Sequence, residues 1–245
     1  MHLSALPKLF RRRQVCLPTW WGGLLLLVVA LALAAGLVLN AYALLAPSQP
    51  ARGLAGTGAR TLVVEGWLDQ GELRQAMAVL RTGRYERVLT TGGPIKSWSE
   101  DAQWHDFAAR AASYLRKNGV AVPVISVPAP ESAQDRSYLS AVMVRDWAQQ
   151  SGVSLDAIDL FSAGVHARRS WLVFRMALGD PVEVGVIAAQ PTEYDARRWW
   201  TSSSGAKNTM GEVLSLAWTK CCFWPAARGS HEERWAVPAA APRRP

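Results

Sequence analysis

Apolar and polar positions divide the chain into one long uncharged run, a series of short alternating elements, and two biased segments that flank those elements. Positions 22–46 hold no charged residue. A helix of that length, rising 1.5 Å per residue, crosses about 30 Å of hydrocarbon. Lys8, Arg11, Arg12 and Arg13 precede the run, and Trp20 and Trp21 stand at its threshold. Basic residues stay on the cytoplasmic side and tryptophan favours the interface. The pattern therefore predicts a basic cytoplasmic N-terminus (1–21), a single transmembrane helix (22–46) in the inner or plasma membrane, and an extracytoplasmic, periplasmic remainder. A cleaved signal peptide is the competing reading. Its apolar region is usually about 7–15 residues, shorter than this one, and Pro47 falls where a peptidase would have to cut.

Beyond a Pro- and Gly-broken linker (47–60), apolar β-branched runs alternate with helical periodicity. Strands are expected at 61–65, 87–91, 122–127, 157–161 and 182–188. Helices are expected at 69–81 with Asp69 as N-cap, from Ser97 or Ser99 to about 117, and at 135–150, 167–178 and 208–223. Strands apolar throughout and separated by helices indicate a parallel sheet covered on both faces. The fold class is α/β: a Rossmann-like, doubly wound, mostly parallel sheet of about five strands, preceded by one transmembrane helix. The domain spans 61–224, and the Pro-, Ala- and Arg-rich 225–245 reads as a disordered tail.

Charge changes this picture little once it is located. Of the net +8, +4 lies in 1–21 and +2 in 225–245, leaving the domain near neutral. Nucleic-acid binding thus loses its main support, whereas a basic N-terminal tail suits a membrane surface. Cys16 and the adjacent Cys221 and Cys222 match neither a metal site nor a CxxC redox pair, so no metal ligand is assigned. The adjacent pair reads as packing residues. No cofactor is identified either, since neither GxGxxG after the first strand nor GxxxxGK[ST] is present.

In doubly wound sheets ligands bind at the carboxyl ends of the strands, and polar clusters recur there. Glu65-Gly66-Trp67 follows the first strand and Thr91-Gly92-Gly93 the second. Asp135-Arg136-Ser137 follows the third, and His166 with Arg168 and Arg169 the fourth. His166 and Arg169 are three apart, on one helix face beside a helix N-terminus, an arrangement suited to phosphate or carboxylate. Glu65 is costly to bury at a strand end unless paired or functional. It is a base, a metal ligand, or the ion-pair partner of Arg136 or Arg169. Asp135 is a second acid or an N-cap. No GxSxG elbow or HExxH motif points to a hydrolase of familiar type. The segment from Asp195 through Trp199-Trp200 to Gly205 is a lid or a membrane-facing edge.

The order VVEGW (63–67), TTGGP (90–94), Ser99-Glu100, DRSYLSA (135–141) and GVHARRS (164–170) resembles the ElyC/SanA/YdcF family. That family's pattern is a V-V-x-G strand, an S-G-G turn, S-E-A, S-x-N-T-x-x-N-A and H-x-x-R-A. Gly66, Gly92, Gly93, Glu100, His166 and Arg169 match it. Thr91, Ser137, Ser140 and Ser170 stand in for other residues, and Glu65 and Arg136 depart from it toward a more charged pocket. The resemblance implies a Rossmann-like domain, often membrane-tethered, in envelope biogenesis. Family members are associated with envelope polysaccharide and lipid-carrier metabolism, and one with binding S-adenosylmethionine. The expected function is action on, or binding of, a phosphorylated or otherwise anionic lipid-linked or sugar intermediate. In that reading Arg136, Ser137, Arg168 and Arg169 with Gly66, Thr91, Gly92 and Gly93 bind the ligand, and Glu65, His166 and Asp135 are the catalytic groups. The alternative is a non-catalytic module that binds a small anionic or S-adenosylmethionine-like ligand, or scaffolds partners.

Overall fold

The computed structural model describes residues 17–53, 58–82, 84–96, 99–131 and 136–234. It divides into a unit ending at Asn40 and a second beginning at Ala41. The first unit holds most of α1 (Trp20–Leu45), 26 residues of mean hydropathy 2.7. Among the described residues it is the one helix long and apolar enough to cross a membrane.

The second unit is a five-stranded, wholly parallel sheet of order β3-β2-β1-β4-β5. The strands are β1 (Thr61–Glu65), β2 (Arg87–Gly92), β3 (Val124–Pro128), β4 (Ala157–Ala163) and β5 (Glu183–Ala189). Alternate strand residues feed opposite faces. Leu62 and Val64 meet α2 (Gln70–Leu80) and α3 (Phe107–Lys117), through Leu73, Met77, Ala111 and Leu115. Val63, Ile158 and Leu160 meet α4 (Arg136–Ser151) and α5 (Ala167–Leu178), through Leu139, Val142, Val173 and Phe174. The sheet is therefore covered on both faces, as the uniformly apolar strands require. The strand order reverses between β1 and β4, which places the crevice of such folds beside Glu65 and Gly164.

Several boundaries differ from the sequence reading. Neither Ser97, which lies outside the described residues, nor Ser99 starts α3. Asp106 caps it instead, accepting from the Ala109 N–H at 2.6 Å. The preceding stretch closes on itself through Ile95 N–H to the His105 carbonyl (3.1 Å), and Glu100 belongs to that loop. The last long helix, α6 (Ser203–Cys221), begins five residues earlier than expected, because the Ser202 hydroxyl caps it by accepting from Gly205 N–H. Cys221 and Cys222 form an adjacent-residue disulfide rather than acting as packing residues.

Neither biased segment is the free tether its composition suggests. Gln49 bridges Val186 on the open edge of β5, covering backbone groups that an edge strand would otherwise expose. Next to it, Ala51 N–H donates to the fully buried Asp159 carboxylate (2.7 Å), which also accepts from Tyr85 and Arg84. Beyond Pro225 the chain returns to the domain. In the short α7 (His231–Arg234), Glu233 is wholly buried against the Arg145 guanidinium in a two-pronged pair at 2.8 Å on each prong. The expected disordered tail therefore does not start at 225, and 235–245 lie outside the described residues.

Candidate functional site

A cleft of about 280 Å³ opens where the strand order reverses. Trp67 and Asp69 follow β1, and Ala163 to His166 follow β4. Pro191 to Tyr194 follow β5, and α6 contributes Asn208 and Glu212. Glycine at 66 is demanded by packing, since a Cβ there would run into the Phe107 carbonyl. This close approach brings α3 against the β1 exit and leaves the next residues, from Trp67, to form the cleft wall.

His166 is the centre of the site. Its Nδ1 lies 2.7 Å from Glu212 Oε1, and its Nε2 lies 3.2 Å from the Ser137 hydroxyl. The Trp67 ring meets the imidazole edge-on with centroids 4.9 Å apart. Burial opposes charge on Glu212, but hydrogen bonds and charges from His166 and Arg169 outweigh it and hold the carboxyl at about 2. An ionised carboxylate only accepts, so a proton on Nδ1 satisfies this contact, although the Arg169 guanidinium, itself a donor, also approaches Nδ1 at 3.0 Å. In the tautomer with that proton on Nδ1, the Nε2 lone pair accepts from Ser137. Arg169 also holds the carboxylate, with Nε to Oε2 at 2.9 Å and Nη2 to Oε1 at 3.3 Å, beside the imidazole that meets the same oxygen. Serine, histidine and glutamate are thus in line, with the order and spacing of a nucleophile, a base and the group that orients the base.

Glu65 stands behind this row. It is 2% exposed, accepts from the Ser170 hydroxyl at 2.8 Å and from the Ser162 hydroxyl, and has His166 Nε2 3.9 Å away. Its burial is met by hydroxyl donors, and it does not line the cleft. That position suits stabilising a positive imidazole better than meeting a substrate.

The other predicted site residues scatter. Arg168 donates to the Leu44 carbonyl, at the end of α1, and is absent from the cleft wall. Thr91 is buried with its hydroxyl 3.5 Å from the Ser140 carbonyl. Gly92 accommodates Phe107 rather than a ligand, because a Cβ would lie 2.8 Å from that side chain. Gly93 faces the 129–130 backbone. Asp135 lies outside the described residues, and Arg136 opens α4. Trp199 is buried, unlike an interfacial residue, whereas Trp200 is exposed.

The sequence reading missed the acidic walls. Asp69 and Glu72 form a reciprocal capping box at the start of α2, and Glu193 and Glu212 face them. Burial, then the charges of Asp69, Glu65 and Glu193, push Glu72 up to about 7, against a lowering hydrogen bond from the Asp69 backbone. Four carboxylates around one cleft disfavour an anion at its centre. Glu212 had a signal in the sequence: it is the sole acid in the 19 residues of α6, four positions after Asn208. No protein-family model matches the chain, and no curated protein matches it.

Proposed function

We propose that this chain is a membrane-anchored envelope protein that cleaves or transfers an acyl ester on a lipid-linked or sugar intermediate, using Ser137 as nucleophile. One observation carries the reading: Ser137, His166 and Glu212 form a continuous hydrogen-bonded row, of which His166 and Glu212 line the switch-point crevice and Ser137 stands behind the imidazole. The ElyC/SanA/YdcF resemblance supports the envelope setting. The apolar α1 and the basic residues before it support a cytoplasmic N-terminus and an extracytoplasmic domain.

In this mechanism Ser137 Oγ attacks the ester carbonyl carbon and its proton passes to His166 Nε2. Glu212, through Nδ1, and Glu65, 3.9 Å from Nε2, stabilise the resulting imidazolium. The negative oxygen meets the positive end of the α4 dipole, where Ser137 is the second residue. The carbonyl C–O bond to the leaving alcohol then breaks, and His166 returns its proton to that alcohol. Water, or an acceptor hydroxyl, repeats the sequence on the acyl-serine and restores Ser137. A phosphate elsewhere on the substrate lies away from Asp69, Glu72 and Glu193, whose charges repel it.

The test is ester turnover by the full chain in detergent micelles. Ser137→Ala and His166→Ala are expected to abolish turnover of p-nitrophenyl acyl esters while leaving the melting temperature within a few degrees. Turnover surviving in Ser137→Ala sinks the serine mechanism. If no ester is turned over and phosphorylated compounds raise the melting temperature, the non-catalytic anion-binding reading replaces it.

A further inference from the structure

We infer that the outward face of α6 rests in the bilayer interface, so that the domain lies against the membrane rather than hanging from it. The inference rests on α1 being a membrane span. Met210, Val213, Leu214, Ala217 and Trp218 recur at helical spacing and share one face of α6. That face is open: Leu214 is 69%, Met210 49% and Trp218 47% exposed. Leaving such a stripe in water is unfavourable by roughly 25 cal/mol per Å² of apolar surface. A contiguous exposed apolar face marks a surface that something covers.

The chain itself indicates what covers it. Tyr42 and Leu45, from the last turns of α1, form a buried cluster with Val165 and Trp199, and Ala206 and Leu216 of α6 pack against it. Ala206, Met210, Val213 and Ala217 follow one another at intervals of four, three and four. The exposed stripe is therefore the continuation of the surface that holds the end of the apolar helix. Residues 41–46 belong to this unit and lie at the end of the apolar run, so the stripe is packed beside the stretch of chain that meets the membrane. Further fastenings, Arg168 to the Leu44 carbonyl and Gln49 to Val186, hold residues 44–49 on the same unit.

Charge and side-chain type agree with a lipid occupant. The exposed charges of α6 are Lys207 and Lys220, both cationic, while its acid, Glu212, points into the cleft. Trp218 on this face is exposed, as is Trp200 just before α6, and tryptophan and lysine are the residues that favour the headgroup layer. Asn208 and Glu212 lie about half a turn round the helix from the stripe at 100° per residue. One helix therefore sets its apolar side on lipid and its polar side in the cleft. The relay then stands on the order of one helix diameter, about 10 Å, above the interface, within reach of a headgroup-linked ester.

The test uses the full chain in nanodiscs containing anionic lipid, with brominated acyl chains as quencher of tryptophan fluorescence. Trp218→Phe is expected to remove part of the quenchable signal. Leu214→Glu is expected to reduce the quenching of Trp218 and to raise hydrogen exchange along α6, while the protein stays in the pellet on alkaline extraction. Quenching unchanged by Trp218→Phe, in protein that alkaline extraction leaves in the membrane, overturns the docking and spares the span. Release by alkali overturns the span itself. If Leu214→Glu instead converts a dimer in detergent into a monomer, the face belongs to a second copy and the lipid proposal falls. Ester turnover in micelles is read separately, so failure of the serine mechanism is distinguishable from all of these.

Discussion

Glu233 is buried and Glu212 half-buried, yet both are paired with an arginine and both held at about 2 against the penalty of burial. Their surroundings separate them. Glu233 accepts both prongs of Arg145, the Tyr138 hydroxyl at 3.0 Å and Gly229 N–H at 2.6 Å, and it does not line the cleft of His166. Every lone pair is committed to holding residues 225–234 on α4. Glu212 has the same kind of arginine on one side, but its other contact is an imidazole whose far nitrogen meets a serine hydroxyl beside a cleft. The comparison teaches that a depressed carboxylate pKa identifies a strut as readily as a site. What marks the site is a group that still has a proton to move.

Breaking each pair should give opposite phenotypes. The largest effect expected is Glu212→Gln, which keeps the shape but favours the wrong imidazole tautomer. Ester turnover should fall by about 10³–10⁴-fold with little loss of stability. Stopped assays on both proteins at pH 7 check this. Arg145→Met should instead leave turnover per folded molecule intact and destabilise the domain by about 3–5 kcal/mol, because Glu233 is left buried and charged. Chemical unfolding measures it, and Arg145→Met combined with Glu233→Leu should recover most of the loss.

Acid sharpens the comparison further. Both glutamates ionise far below their unfolded value of 4.5, so their contribution is complete above that pH and disappears as pH falls from 4.5 toward 2. Melting temperatures should drop across that window, and Glu233→Gln should flatten the drop. Glu72 has the reverse sign: raised to about 7, it favours folding below 4.5 and loses that contribution as pH rises through 7. Glu72→Gln should therefore leave stability unchanged at pH 4. At pH 8 it should raise stability by about 1 kcal/mol, after allowing for solvent screening, or roughly 2–4 °C.

The regular part of the fold was legible in the sequence. The uncharged run 22–46, the five apolar strands and the Asp69 cap each carry a local signal, and all appear at or near their expected places. The crevice position followed from the alternation of strands and helices. Much else depended on partners distant in the chain. Glu233 sits in a Pro-, Ala- and Arg-rich stretch, and its burial is decided by Arg145, 88 residues away. Ser48 to Gly53 look like a linker because their hydrogen bonds go to Asp159, Glu183 and β5. The site was half visible. The strand ends drew attention to His166 as a catalytic group and Ser137 as a ligand-binding one, but the charge of Arg169 suggested an anion. Only the fold shows that Glu212, 43 residues later, neutralises it.

The central claim is that Ser137 carries a nucleophilic oxygen activated by His166 and Glu212. The most direct measurement is mass spectrometry of the intact, membrane-embedded chain after reaction with a fluorophosphonate, with peptide mapping of the adduct. The account predicts one adduct, on Ser137, formed much more slowly in His166→Ala and Glu212→Gln. An adduct elsewhere, or one on Ser137 at an unchanged rate in Glu212→Gln, would contradict it.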